Sequence, residues 1–252
     1  LSLVLPRMQR VIMSTLVQTV QRNIHGRDFV VGDIHGHFTR LEAALQQVDF
    51  DRSVDRLFSV GDLVDRGPES SRVLDYLKRP WLVAVRGNHE DMAIRHPNGH
   101  RDTEAYRDNG GGWLIESPME IQLEVAAALS ALPIAVSIDT LAGKIGIVHA
   151  DCPTQSWEEF TSRLEDPLLS NSELKRLLRG ALWSRERIEW DDQRPVEDVT
   201  AVIVGHTPVP SSRCIANVYY TDTGVCYPNL NKLTLFQLSP DAETVIREAA
   251  TA

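Results

Sequence analysis

Asp33, His35, Asp62, Asn88, His149 and His206 each stand at or just beyond the end of a short apolar run. Carboxylates mixed with imidazoles suit Mn, Fe, Zn or similar divalent ions better than calcium or copper. These six donors are too many for one catalytic ion with open positions, and Asp62 can bridge two. Two ions about 3.5–4 Å apart could share a water, lower its pKa toward ~7 and clamp a phosphoryl oxygen. Asn88 carries no charge and does not titrate, which leaves such a centre attractive to an anion. Arg66, Arg86 and Arg185 adjoin the same segments. Guanidinium forks match phosphate bidentately and stay charged at any working pH. His89 directly follows Asn88. Paired with a carboxylate, for which Asp65 is the candidate, its pKa rises and it can donate a proton near neutrality.

Each of these residues has a plainer reading. An aspartate after a strand is usually a turn or cap residue, and a lone histidine usually satisfies structure. His25, His37, His96 and His100 are assigned that way. For Arg185-Glu186-Arg187 the plainer reading is a solvated helix face, the lesser of the two. Joint occurrence decides against the plain reading for the rest. The fixed residues of Gly32-Asp33-x-His35-Gly36 alone arise by chance on the order of once per thousand chains at average residue usage. The chain adds Gly61-Asp62-Leu63-Val64-Asp65-Arg66-Gly67, Gly87-Asn88-His89-Glu90 and Gly205-His206.

The elements that must position these residues follow from periodicity and punctuation. Residues 27–32 read as a buried strand, and Phe38, Leu41, Ala44, Leu45 and Val48 follow at helical spacing. Val54, Leu57, Phe58 and Val60 predict a second buried strand, and Pro68 is placed to open a helix. Residues 81–85 predict a third strand that runs into Asn88, with a helix after it. The polar, glycine-rich stretch 96–112 predicts a loop-rich insertion over the sheet. Residues 121–132 read as a helix, and 134–138 with 144–148 as a hairpin that delivers His149. Helices are expected at 156–165 and 171–180, a buried strand at 201–204, and alternating strands and turns over 213–238. No repeat or linker breaks the pattern. Residues 1–22 read as an N-terminal extension outside the core, with Met13 as a start and 1–12 as translated sequence ahead of it. Residues 23–252 read as one catalytic domain.

Bulk properties set the class. The chain has 252 residues, 42% hydrophobic and 24% charged, enough for a sizeable core. Its net charge of −9 argues against a general nucleic-acid or anionic-membrane binder. Cys152, Cys214 and Cys226 are an odd number without finger spacing, which fits a reducing, cytoplasmic setting. No apolar run reaches the roughly 18 residues of a membrane span.

In order, Gly32-Asp33-Ile34-His35-Gly36, the GDLVDRG loop and Gly87-Asn88-His89-Glu90 resemble the three signature motifs of the phosphoprotein phosphatase family. His149-Ala150-Asp151 and Gly205-His206-Thr207 resemble its later metal histidines. Arg86 through Glu90, Asn109 through Trp113 and Trp183 through Ile188 look like the branch that holds bacteriophage lambda phosphatase and similar bacterial serine/threonine protein phosphatases. The resemblance implies an α/β, calcineurin-like fold, a central β-sandwich of two mixed sheets flanked by helices. It implies two divalent ions, manganese first and iron or zinc as alternatives. Asp33, His35 and Asp62 would hold one, and Asp62, Asn88, His149 and His206 the other. His89 with Asp65 would be the general acid, and Arg66, Arg86 and Arg185 would grip phosphate. The implied activity is hydrolysis of phosphoserine and phosphothreonine in proteins by direct attack of a hydroxide held between the ions. Phosphoproteins or phosphopeptides are the expected partners, with small phosphate esters accepted, and with no nucleic acid, membrane or obligate regulatory subunit. Two alternatives stay open. One is a symmetrical dinucleoside tetraphosphate hydrolase, although those typically carry Ala where Asp65 stands and Asp where Glu90 stands. The other is an inactive phosphate-binding scaffold, which would require a broken ligand.

Overall fold

Phe29, Val30 and Val31 are all fully buried, so the strand they form must be covered on both faces. The computed structural model describes residues 15–99, 103–238 and 246–252. Its first half runs β1 (Val17–Val20), β2 (Asp28–Val31), α1 (Phe38–Gln47), β3 (Arg56–Ser59), α2 (Val73–Leu77), β4 (Leu82–Ala84), α3 (Asn88–Arg95), α4 (Thr103–Tyr106), α5 (Gly112–Ile115) and α6 (Met119–Ser130). Then come β5 (Ala135–Thr140), β6 (Gly143–Val148), α7 (Trp157–Glu165), α8 (Asn171–Trp183), α9 (Glu186–Glu189), β7 (Ala201–Val204), β8 (Arg213–Ile215), β9 (Val218–Tyr220), β10 (Thr234–Leu238) and β11 (Ile246–Thr251).

Five strands pair in the order β11-β10-β2-β3-β4 and six in the order β1-β5-β6-β7-β9-β8. Both sheets are mixed. β2, β3 and β4 are parallel neighbours, as are β6, β7 and β9, while β10 and β5 run against β2 and β6. Alternation along each strand explains the layers. Val30 and Phe58 point between the sheets, where they meet Val136, Ile145, Ile147 and Ile203. Their neighbours Phe29, Val31 and Leu57 point the other way, onto Phe38, Leu41 and Leu45 of α1. On the opposite side Val148, Val202 and Val204 pack against Trp157, Phe160 and Leu177 of α7 and α8. Both of those helices start at a serine whose Oγ accepts an N–H of the first turn, Ser156 from Glu159 and Ser170 from Glu173. The sandwich expected from the sequence is the fold observed. No described helix is long and apolar enough to cross a membrane.

Three expectations need correction. The stretch set apart as an extension contains β1, which pairs in parallel with β5 from Val17–Ala135 to Val20–Ile138. Gln18 and Thr19 are exposed on this edge strand, so its polar positions hid the strand pattern. The start read at Met13, and residues 1–12, lie outside the described residues. The stretch 96–112 is largely helical where it is described. It holds a 3-10 turn at His96–Asn98, α4, a wide π-helical turn at Arg107–Gly111, and the start of α5. Gly110 sits at φ 95° inside the wide turn, and a Cβ there would lie 2.5 Å from the Arg66 nitrogen. Its glycines therefore bring a helical segment against the GDLVDRG loop instead of making a loop. Val54 lies outside β3 and is 37% exposed.

Candidate dimetal centre

Strands that run the same way deliver their following residues to one edge of the sandwich. Asp33 and His35 follow β2, Asp62, Asp65 and Arg66 follow β3, and Asn88 and His89 follow β4. His149 follows β6, and His206 follows β7. The two sets meet in the middle. His149 Nε2 lies 2.9 Å from Asn88 Oδ1 and 3.4 Å from Asp62 Oδ1. His206 Nδ1 lies 3.0 Å from Asn88 Oδ1, and its backbone N–H donates to Asp33 at 3.1 Å. His35 Nε2 is 3.7 Å from Asp62 and 3.8 Å from Asp33. All six residues read from the sequence as ligands are buried together. Of the other histidines, His37 faces the Ile34 carbonyl and His96 stacks near Tyr106. His100 lies outside the described residues.

The backbone that carries them is strained. His35, Asp62, Asp65, Arg66 and His206 are half of the ten described non-glycine residues with positive φ. Each such residue costs about 1–3 kcal/mol, and its concentration at one site means surrounding bonds hold the loops. Glu90 is the main holder, a role the sequence reading left out. Its fully buried carboxylate accepts the N–H groups of Asp62, Leu63 and Gly87 at 2.7–2.8 Å. Gly87 is needed for this closeness, because a Cβ there would fall 2.2 Å from Asp62 Oδ1.

Imidazole protonation follows from which atoms can only accept. His149 Nδ1 lies 2.8 Å from the Val60 carbonyl and His35 Nδ1 3.0 Å from the Val64 carbonyl. Those nitrogens must carry the hydrogens, so both Nε2 atoms face the centre as lone pairs. Burial keeps His35, His149 and His206 neutral. It holds His35 well below its ordinary pKa and lowers His149; with His149 beside it, His206 is pushed down to about 3. His149 Nε2, Asn88 Oδ1 and Asp62 Oδ1 are therefore acceptors facing acceptors, an arrangement that a cation between them makes favourable. Two triads whose donor atoms lie within 4.8 Å of one another are present, His35–Asp62–His89 and Asp62–His149–His206. Asp62 belongs to both. Burial opposes its ionisation, but the surrounding imidazoles, His149 foremost, hold its carboxyl below the usual range. Asp33 is pushed well above that range by burial, then by Asp222 and Asp62. Asp222, buried just beyond β9, is a second acid that the sequence reading missed. This donor set fits two divalent ions sharing Asp62.

His89 is placed differently. Its Nδ1 donates to Asp65 Oδ2 at 2.8 Å, and its buried Nε2 has no hydrogen-bond partner among the described residues. That Nε2 lies 3.8 Å from Asp62. Burial works against the charged imidazolium, yet Asp62 and then Asp65 carry its pKa above the ordinary value. Asp65 is itself braced by the helical insertion. Its Oδ1 accepts from Tyr106 Oη at 3.0 Å and from Trp113 Nε1 at 2.7 Å.

The three arginines divide. Arg66 donates to His35 Nε2 at 2.8 Å and to Tyr227 Oη at 3.2 Å, at the mouth of the centre. Arg185 is exposed, caps the start of α9, and its charge bears on both His149 and His206. Arg86 departs from the expectation. Its fork donates to the Ser130 carbonyl at 2.8 Å and the Leu132 carbonyl at 3.4 Å, at the C-terminus of α6. Unsatisfied carbonyls and the negative end of the helix dipole attract a guanidinium there. We expect Arg86→Ala to lower stability by about 1–2 kcal/mol, read as a fall in melting temperature; an unchanged melting curve would show that these bonds carry nothing.

Comparison with known proteins agrees with the geometry. The family model described as calcineurin-like phosphoesterase matches residues 29–237. Serine/threonine-protein phosphatase 1 of Salmonella typhimurium is 35% identical over 204 residues, 79% of this chain and 87% of the relative. Serine/threonine-protein phosphatase 2 of Escherichia coli is 32% identical over 232 residues, 89% and 99% of the two chains. A symmetrical bis(5'-nucleosyl)-tetraphosphatase of Pseudomonas putida matches less fully, 34% identical over 172 residues, 64% of this chain and 56% of the relative. Among solved structures, a Saccharomyces cerevisiae protein serine/threonine phosphatase superposes with a TM-score of 0.62 at 14% identity, covering 95% of this chain and 85% of that one. With a matched span that takes in β3 through β9, the crowded acceptor cluster and the His89–Asp65 pair, the chain belongs to the calcineurin-like phosphoesterases.

Proposed function

We propose that this chain is a metal-dependent protein serine/threonine phosphatase, acting on phosphoserine and phosphothreonine in proteins. The observation that carries the reading is the His89–Asp65 pair beside Asp62, a carboxylate that lies 3.7 Å from His35 and groups with His149 and His206. Asp33, His35 and Asp62 would hold one ion, and Asp62, Asn88, His149 and His206 the other, with manganese the proposed metal. When bound, the ions lower the pKa of an attacking water toward ~7 and polarise the phosphoryl oxygens. The chain's own groups do the rest. Asp65, fixed by Tyr106 and Trp113, accepts the Nδ1–H of His89 and stabilises the imidazolium, which presents its second N–H from Nε2. That proton passes to the oxygen of the departing serine or threonine. Arg185 grips the phosphate, and Arg66 turns to it from His35. Arg86 drops out of the proposed phosphate grip. The catalytic domain on this reading takes in β1 as well as residues 23–252. A cytoplasmic setting belongs to the proposal, and all three cysteines are free.

Two consequences separate these roles. Trp113→Phe removes one donor from Asp65 and leaves the ring packing. Turnover of alkyl phosphates should fall up to ~10-fold, the worth of part of a charged hydrogen bond, with aryl phosphates little affected. Equal loss on both substrates would detach Trp113 from the proton path. Arg185→Ala should raise KM for a phosphopeptide while leaving the melting temperature in place, the reverse of the pattern expected for Arg86→Ala. The reading as a whole is tested by offering a phosphoserine peptide and diadenosine tetraphosphate side by side to the manganese-loaded protein. Phosphate release from the peptide supports it; cleavage of the dinucleotide alone refutes it.

A further inference from the structure

The chain carries 26 basic and 35 acidic side chains, yet two arginines and an indole stand exposed along one face of α8. Arg176, Arg179 and Trp183 are spaced to share that face, and they line a cleft of about 840 Å³ together with Arg185. No carboxylate of α8 lines it. The cleft adjoins the dimetal centre. The Trp183 ring meets the His206 ring edge-on at 6.3 Å.

Much of the remaining charge in the cleft is already spoken for. Arg187 is buried against Asp151 at 3.0 Å, and Arg194 is paired with Asp192 at 2.5 Å. Glu186 and Glu189 of α9 are exposed and line the same cleft, where Arg176, Arg179 and Arg185 outnumber them. Arg176, Arg179 and Arg185 are exposed and have no ion-pair partner among the described residues. Trp190 is 74% exposed and Trp183 42%, so the cleft is an open trough. A nucleoside site would enclose its base, burying 70–90% or more of the ligand.

Building on the phosphatase reading, we propose that this trough docks the acidic flank of a phosphopeptide, with the scissile phosphate in the dimetal centre. Seven residues of helix separate Arg176 from Trp183, which is roughly 10 Å at ~1.5 Å per residue. An extended peptide covers that in about three residues at ~3.3 Å each. Carboxylates or a second phosphate within about three positions of the scissile residue therefore reach Arg179 and Arg176, and the indoles cover the intervening backbone.

The test uses the full chain loaded with manganese and phosphoserine peptides that differ only in three glutamates against three glutamines, placed before or after the phosphoserine. On one of the two sides the glutamates should raise kcat/KM about 5–10-fold, the worth of two exposed ion pairs, and added salt should erode the gain. Arg176→Glu with Arg179→Glu should abolish or reverse the preference and leave p-nitrophenyl phosphate turnover unchanged. The proposal is overturned if wild type hydrolyses all the peptides without preference, or if the preference survives in the double variant. It is also overturned if the double variant alters only diadenosine tetraphosphate cleavage, which would make the trough a nucleotide site. Failure to hydrolyse any peptide, with the dinucleotide cleaved, sinks the phosphatase reading itself and the docking proposal with it.

Discussion

Replacing His89 by alanine is expected to cut turnover of serine and threonine phosphates by ~10²–10⁴, the usual share of a general acid. Aryl phosphates such as p-nitrophenyl phosphate should lose far less. The reason is the leaving group: an alkoxide needs a proton as it departs, and nitrophenolate does not. The buried Nε2 of His89 has no hydrogen-bond partner among the described residues, while Asp65 occupies the other ring nitrogen. Phosphate monoester hydrolysis demands acceleration of up to ~10²¹, so even a complete loss of this proton leaves most of the catalysis standing. The pH profile gives an independent reading. Asp62 and Asp65 raise the pKa of His89 against the opposing effect of burial, and the acid must be protonated to act. Alkyl phosphate turnover should therefore fall as pH rises through that raised pKa, above the ordinary 6.5, with a flatter limb for aryl phosphates. The linkage to stability has the same sign. A histidine whose folded pKa is raised stabilises the fold below its unfolded value, and the contribution disappears as pH climbs through the folded one. Identical losses on both substrate types, or identical pH limbs, would remove His89 from the role.

Much of this site is legible in the chain because its ligands sit on short, rigid motifs. A strand that ends at glycine and is followed at once by Asp, Asn or His leaves the side chain little choice of direction, and all six candidate ligands stand where strand ends were read. Arg86 shows where that logic stops. Its flexible stem lets the fork choose among neighbours, and the one it takes is a carbonyl 44 residues along the chain. No local pattern encodes that choice. The role of Glu90 was hidden for a related reason. The sequence marks it only as part of a motif, and only the folded loops reveal that it collects N–H groups from two strand ends. The insertion around Asn109-Gly110-Gly111-Gly112 was misread because glycine argues for a loop when nothing is packed on it. Here the glycines let Tyr106 and Trp113 close on Asp65, and the helical turns follow from that packing. β1 was missed on different grounds: an edge strand buries half its residues, and four residues with two polar ones give a weak period.

Asp62→Asn should have the opposite signature to His89→Ala, with alkyl and aryl phosphates losing activity together. The carboxylate stands among His35, His89, His149 and His206; burial opposes its ionisation, and those rings, His149 foremost, hold its pKa low. Exchanging it for an amide removes the only anionic ligand common to both triads. Substitution of a residue that merely supports a metal ligand costs 10–100-fold, so the loss for the bridging ligand itself should exceed ~100-fold. Metal content should drop with it, from two ions per chain to one or none by elemental analysis. The fold should survive the exchange. Asp62 holds φ 49°, a conformation that asparagine adopts about as readily as aspartate. The Glu90 clamp grips the backbone N–H of residue 62 and not its side chain. Alanine would confuse the outcome, since it tolerates that φ poorly. A well-folded Asp62→Asn protein that still holds two ions would show that the centre does not depend on a shared carboxylate, and the hydrolytic mechanism built on it would have to be abandoned.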